Sequence, residues 1–405
     1  MNTNANVLIS GAGIAGLALA HWLTGRGCTV TVVERAPEIR AGGYKVDIRG
    51  AALQVVERMG LLEEIRALRT DVRSGTIVDS AGRRVASMDG DAFGGRVRDD
   101  VEILRGDLHR LLFEQVRGKT EFLFGDSIAA LDETSTGVEA EFTSGGTRTF
   151  DLVVGADGLH SVTRALTFGP EERFVHDLGH RISIFSVPNH LGLDREEVTY
   201  VGAGRSALSY SAARGGAKAM FLFRSAEEVP RERAAQVRAL AANYAGEGWE
   251  VPRFLDAADG AADFYFDSIS QVRMDRWSRG RVVLLGDAAY CASPASGQGT
   301  SLALVGAYVL AGELAGESSR ANGDHEAAFA AYEREMRPFA ERNQKLGPAN
   351  LRRMVLRTRR GVRLAMTMMR LMARMPGRER MVERVVAPIH AAATSITLKE
   401  YAPRG

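Results

Sequence analysis

Three glycine-bearing segments of this chain combine the residue types and spacing that bind phosphates and sugar hydroxyls. The first is Gly11-Ala12-Gly13-Ile14-Ala15-Gly16, which follows the apolar run Val7-Leu8-Ile9 and opens a predicted helix from Ile14 to Arg26. In such a strand, turn and helix, Gly11 permits the tight turn and Gly13 lets a pyrophosphate approach the backbone. Gly16, with the small Ala20 one turn later, lets the helix pack closely on the strand, and Ala15 stands with the glycines among the candidate cofactor-binding residues. The helix start offers free N–H groups and a positive dipole end to an anion. A second predicted strand, Thr29 to Val33, leads into Glu34 and Arg35. The Glu34 carboxylate can accept hydrogen bonds from an adenosine ribose and repels a 2′-phosphate, so the turn suits FAD or NAD rather than NADP.

The other two segments lie far away in sequence. One is Gly155-Ala156-Asp157-Gly158, continued by Ser161 and Arg164; the other runs from Arg281 through Leu285-Gly286-Asp287-Ala288-Ala289. Asp287 stands just past a buried-strand pattern, where a carboxylate can accept hydrogen bonds from the hydroxyls of a ribityl chain. Ser296-Gly297-Gln298-Gly299 then precedes a predicted helix from Thr300 to Leu314. Its N-terminal amides would stabilise an anionic ring. A ribityl chain needs a partner such as Asp287 and NAD has no such chain, which decides for FAD.

The elements that must position these residues follow from composition and pattern. The 405 residues are 45% hydrophobic and 25% charged, enough for one large core and two or three structural units. No apolar run is long enough to span a bilayer and a strand begins within a few residues, so the expected location is cytoplasmic. Cys28 and Cys291 are the only cysteines, which excludes a disulfide framework, a Cys-x-x-Cys pair and a thiolate metal cluster; the eight histidines show no metal spacing. The net charge of +2 conceals a segment, Leu351 to Arg384, with eleven Arg and two Glu. Leu351, Val355, Val362, Met366, Met369 and Met372 recur near helical spacing, which predicts one amphipathic helix docked on the protein's own acidic body rather than on nucleic acid or a membrane.

The predicted architecture is α/β, interleaved rather than sequential. A Rossmann-like nucleotide-binding domain draws on 1–70, 99–175 and 273–330, a β-sheet substrate domain on 71–98 and 176–272, and a helical segment occupies 331–405. No second strand, glycine turn and helix is present for NAD(P)H; Gly202-Ala203-Gly204 lacks the third glycine.

With its three ordered motifs the chain, up to about residue 345, resembles the class A flavoprotein monooxygenases, whose fold is that of para-hydroxybenzoate hydroxylase. The resemblance implies that FAD is held by the residues above, with Arg105, Asp157 and Asp287 as contacts and the Gly297, Gly299 and Thr300 amides at the ring. It implies NADPH or NADH as a transient reductant, and reaction of reduced flavin with O2 to a C4a-hydroperoxide that oxidises a small aromatic or polycyclic molecule. Arg40-Ala41-Gly42-Gly43-Tyr44-Lys45-Val46-Asp47 narrows the likeness to the tetracycline-inactivating branch and similar polyketide-oxidising enzymes. There Asp47 would touch FAD and Arg40 would lie where the nicotinamide cofactor docks. Phe185, Tyr210, Phe221, Phe223 and Phe266 are the candidate substrate walls, and a monomer or homodimer is expected. Tyr290, where many members have His, and Ser301, where Asn is common, depart from the pattern. Two other readings remain: a flavin-dependent halogenase, against which Trp22, Trp249 and Trp277 are isolated rather than in a Trp-x-Trp-x-Ile-Pro signature, and a non-catalytic flavoprotein acting through the Arg-rich helix.

Overall fold

A computed structural model of the chain describes residues 5–39, 43–97, 99–211, 216–315, 325–372 and 378–401. Its first sheet is assembled from distant segments, in the order Ser278–Arg279, Val282–Leu284, Leu152–Gly155, Asn6–Ser10, Thr29–Glu34 and Glu121–Phe124. All pairings are parallel except that of the short edge strand Ser278–Arg279. The central strand is apolar on both faces because both are covered. Val7 and Ile9 pack among the helices, while Leu8 meets Ile128, Val138 and Phe150 of an antiparallel three-stranded sheet. The helix Gly299–Ala315 is buried along most of its length, packed against Ile14–Thr24 and His325–Gln344.

The second large sheet has seven strands in the order Tyr265–Val272, Val175–Val187, Ala217–Arg224, Arg205–Ser211, Glu196–Gly202, Ser74–Val78 and Arg84–Asp89. Side chains alternate between its faces. One face is covered by two helices, Arg233–Asn243 and Val251–Ala258, which interrupt the stretch read from sequence as strands. The other face looks towards the first sheet. A two-stranded ribbon, Lys45–Ile48 with Val101–Leu104, lies between them. The fold is thus α/β, with a Rossmann-like sheet, a second sheet and C-terminal helices.

Two predicted helices are each divided. The stretch after Gly50 forms Ala51–Arg58 and Leu62–Ala67, broken at Gly60, whose φ is +74°. The Arg-rich stretch forms Leu346–Met354 and Arg359–Met372. The break has tertiary causes. Val355 is buried with Ile182, Ile184 and Leu222, and the Leu356 carbonyl leaves helical pairing to accept a hydrogen bond from Gly204 N at 2.7 Å. Thr358 Oγ1 then accepts from Gly361 N at 3.0 Å and starts the next helix.

Candidate active site

The three glycine segments end three neighbouring strands. Ser10 pairs with Gly155, and Gly155 with Leu284, so the turns that follow emerge side by side at the carboxyl edge of the parallel sheet. They touch. Gly11 has a φ of +102°, and a Cβ there would stand 2.7 Å from the Ala156 carbonyl oxygen. A Cβ on Gly286 would stand 3.0 Å from that of Ala15, and one on Gly16 would overlap the Gly11 carbonyl oxygen. Gly13, in contrast, faces open space and precedes a helix with no side-chain cap. That combination leaves a turn whose free amides fit a pyrophosphate.

The carboxylates around this turn divide the work. Glu34 Oε2 accepts from Ala12 N and Oε1 from Ala36 N, both at 2.9 Å, so Glu34 braces the glycine turn and has one lone pair left on each oxygen. Asp157 accepts from Ser161 Oγ at 2.5 Å and from Thr163 N and Oγ1 at 2.9 Å, which fixes the second turn against the first. Arg164, wholly buried, ties the same turn to the third segment through the Ala288 carbonyl at 3.0 Å. Arg35 is exposed at the rim, and Arg40 lies outside the described residues.

Asp287 faces open space while protein surrounds it on its other sides. Burial pushes its carboxyl up, opposed by the Cys291 thiol and the Arg105 guanidinium. Gly299, 3.9 Å from Asp287 Oδ1 to its would-be Cβ, begins the buried helix beside it, with Thr300 next and Gly297 exposed. Arg105 starts its own helix at the end of Val101–Leu104, its N–H donating to the Tyr44 carbonyl at 2.8 Å, and makes no ion pair among the described residues. Gln298 is buried with both amide atoms unpartnered. Amides, a carboxylate, a cation and unpaired polar atoms around one space fit FAD.

The ribbon beside this space carries charges that sequence reasoning passed over. Lys45 Nζ lies 2.5 Å from Glu197 and 3.1 Å from Glu102; Glu102 also pairs with Arg96 at 2.6 Å. Burial alone would lower the Lys45 pKa, but Glu197 and Glu102 outweigh it and hold it up. Asp47, directly opposite Glu102, pairs with the buried Arg49 at 2.8 Å. The Arg49 backbone N–H donates to Ser301 Oγ at 3.2 Å, so the serine found in place of Asn fixes this ribbon to the buried helix. A signal was present in the sequence: a lone acid in the apolar run Val101-Glu102-Ile103-Leu104 requires a buried partner.

The aromatic candidates separate by face. Phe185, Phe221, Phe223 and Phe266 are buried with Leu240, Tyr244, Val251 and Phe254 under the covering helices, on the side away from the glycine turns. They form a core. Ile182, Ile184, Met220 and Leu222, one residue out of phase, face the site with Tyr44 and Ala295. Tyr210 is on the site side, accepting from Lys45 N at 3.1 Å, with Lys45 Nζ 5.0 Å from its ring centre. Tyr265, 40% exposed, stands 6.5 Å from the Tyr44 ring. Tyr290 is buried away from the space, its hydroxyl 3.0 Å from that of Tyr332. An open groove of about 680 Å³ near Phe168, Arg276 and Arg334 contains none of the candidate residues.

The chain is similar to known proteins along most of its length. The FAD binding domain family matches residues 4–346. An uncharacterised protein of Mycobacterium tuberculosis is 45% identical over 350 residues, covering 85% of this chain and 93% of its own. A flavin-dependent monooxygenase from an unknown prokaryotic organism is 41% identical over 345 residues, covering 84% and 88%. The crystal structure of the tetracycline destructase Tet(55) superposes with a TM-score of 0.84 at 36% identity, covering 99% of this chain and all of that one. Among the described residues there is no cluster of three metal-ligating side chains, and no helix is long and apolar enough to cross a membrane. The chain belongs to the flavin-dependent monooxygenases built on the FAD binding domain, and it is an oxidoreductase that takes FAD.

Proposed function

We propose that this enzyme draws electrons from NADPH or NADH and inserts one oxygen atom of O2 into a polycyclic, partly aromatic small molecule of the tetracycline or polyketide kind. The observation that carries the proposal is the space between two walls. One wall is the glycine turns with Asp287 and the start of the helix Gly299–Ala315; the other is the half-buried Tyr44 and Met220 with the exposed Tyr265, backed by the apolar row Ile182, Ile184 and Leu222, on which Leu351 and Val355 also pack. The bound flavin supplies hydride acceptance and oxygen activation, chemistry that no side chain here offers. The chain's own residues bind and orient. The amides at Gly13 and Ile14 receive the pyrophosphate, Glu34 the adenosine ribose, Asp287 the ribityl hydroxyls, and Arg105 the ring or phosphate oxygens. Asp47 acts through Arg49 and Ser301, setting the ribbon that carries Tyr44. Tyr44 and Tyr265 supply flat, apolar surface with hydroxyls for a fused-ring substrate, Tyr210 is buried behind them under Lys45, and the apolar row excludes water. Use of NAD(P)H suits a cytoplasmic enzyme, monomeric or homodimeric.

The likeness to Tet(55) over the whole chain directs the substrate class. The test is a screen of tetracyclines and other polycyclic aromatics for stimulated NAD(P)H oxidation, with mass spectrometry of the product. A stimulated rate and a product heavier by one oxygen are expected. Halide-dependent product without oxygen insertion would point to a halogenase, and flavin that neither NADH nor NADPH reduces with any compound would point to a non-catalytic flavoprotein.

A further inference from the structure

The helix Arg359–Met372 has two apolar faces, only one of which the protein covers. Val362, Met366 and Met369 pack on Ile77, Val85, Phe93 and Val201 of the seven-stranded sheet. Leu364, Met368 and Leu371 recur at i, i+4 and i+7 on the opposite side and are 63%, 53% and 58% exposed. Sequence pattern alone predicts a helix docked on the protein's own body; that holds for one face. Around the open stripe the surface is cationic. Arg352, Arg353, Arg357, Arg359, Arg360, Arg363 and Arg370 are all exposed, and among the described residues Arg370 alone has an acid within ion-pair distance, Asp79 at 3.7 Å. Met354, 38% exposed, extends the apolar surface to the preceding helix.

We propose that this stripe is a docking surface for an anionic lipid bilayer, with Leu364, Met368 and Leu371 entering the headgroup boundary and the arginines meeting lipid phosphates. A second copy of the chain fits worse. A two-fold contact through this helix would bring two such arginine clusters together with Asp79, among the described residues, as the single acid each has within ion-pair distance. A lipid surface satisfies both features: apolar side chains gain a boundary region, and each guanidinium gains a phosphate. The inner face stays anchored to the sheet, so docking needs no unfolding of the helix. The same helix lies over the sheet that carries the apolar row of the site, which would place the enzyme where apolar polycyclic compounds concentrate.

The test is flotation of the FAD-loaded protein with vesicles of phosphatidylcholine, or of phosphatidylcholine and phosphatidylglycerol in equal parts, at low and high salt. Binding to the anionic vesicles alone, weakened by salt, is expected. The triple variant Leu364→Gln, Met368→Gln, Leu371→Gln should reduce it about tenfold or more, as should Arg360→Gln with Arg363→Gln, both retaining flavin and the wild-type circular dichroism. Binding unchanged in both variants, equal binding to neutral vesicles, or no binding would overturn the proposal. So would a wild-type dimer that the triple variant converts to monomer, since the occupant would then be a second copy.

Discussion

Asp287 faces the open space with protein behind it; burial pushes its carboxyl up, and Cys291 and Arg105 restrain the rise. Its replacement by Ala should remove hydrogen bonds to a charged acceptor, each about 1.5–3 kcal/mol, so flavin affinity should fall about tenfold to a hundredfold. Flavin fluorescence titration of Asp287→Ala measures this, and a variant that stays fully yellow at wild-type affinity would disprove the assignment. Glu102 serves a different purpose. It shares one buried position with Lys45, Arg96 and Thr70, and burial, which would raise its pKa, is overcome by Lys45 and Arg96. Glu102→Gln leaves Lys45 with Glu197 and Arg96 with Asp91 beside a neutral amide, a change expected to cost about 1–3 kcal/mol of stability. Urea denaturation should show it as a lower midpoint with an unchanged slope.

At the scale of the element, the departure at Tyr290 is explained by a helix some distance along the chain. Its ring packs 4.6 Å from Trp277, and its hydroxyl fills the room left by Gly306 in the helix Gly299–Ala315. A Cβ on Gly306 would overlap that hydroxyl. Gly306→Ala should therefore destabilise by about 1–3 kcal/mol, and adding Tyr290→Phe should recover part of the loss, a coupling that thermal melts of the four variants would reveal. The tyrosine is thus a packing residue, and the cofactor role proposed for Gly286 and Asp287 does not depend on it. The division of the Arg-rich stretch at Val355 belongs to the same scale. Its hydrophobic spacing is nearly helical throughout, and only contact with Ile182, Leu222 and Gly204 draws the chain out of the helix.

Across the whole molecule, the two large sheets are joined at His160. Its Nδ1 lies 2.9 Å from Glu171 and its Nε2 3.4 Å from Asp267 on the strand Tyr265–Val272, where Asp267 also accepts from Tyr265 at 3.0 Å. Asp267 first, then Glu171, outweigh burial and lift the imidazolium from 6.5 to about 9. A group whose pKa rises on folding stabilises fully below its unfolded value, so this link is complete below pH 6.5 and is lost as pH passes about 9. The side chain is half exposed, which keeps the effect small. Denaturation midpoints should decline over that interval, and His160→Gln should flatten the decline; equal slopes in both proteins would refute the link. Phosphate-binding turns could be read from sequence because each needs glycines at fixed places after an apolar run, a requirement local to a dozen residues. So could the choice of FAD, since Asp287 follows its strand directly. The substrate walls could not. Whether Phe221 or Leu222 faces the site depends on which face of the sheet the helices Arg233–Asn243 and Val251–Ala258 cover, and a shift of one residue exchanges the two. Nor could the buried charges of Lys45, Glu102 and Glu197 be paired before folding, because their partners come from three separate strands. The sequence by itself determined the cofactor and the glycine turns proposed to hold it, where chemistry depends on local backbone; the tertiary structure decided which side chains face the space proposed for substrate, because that depends on register and on what covers each face.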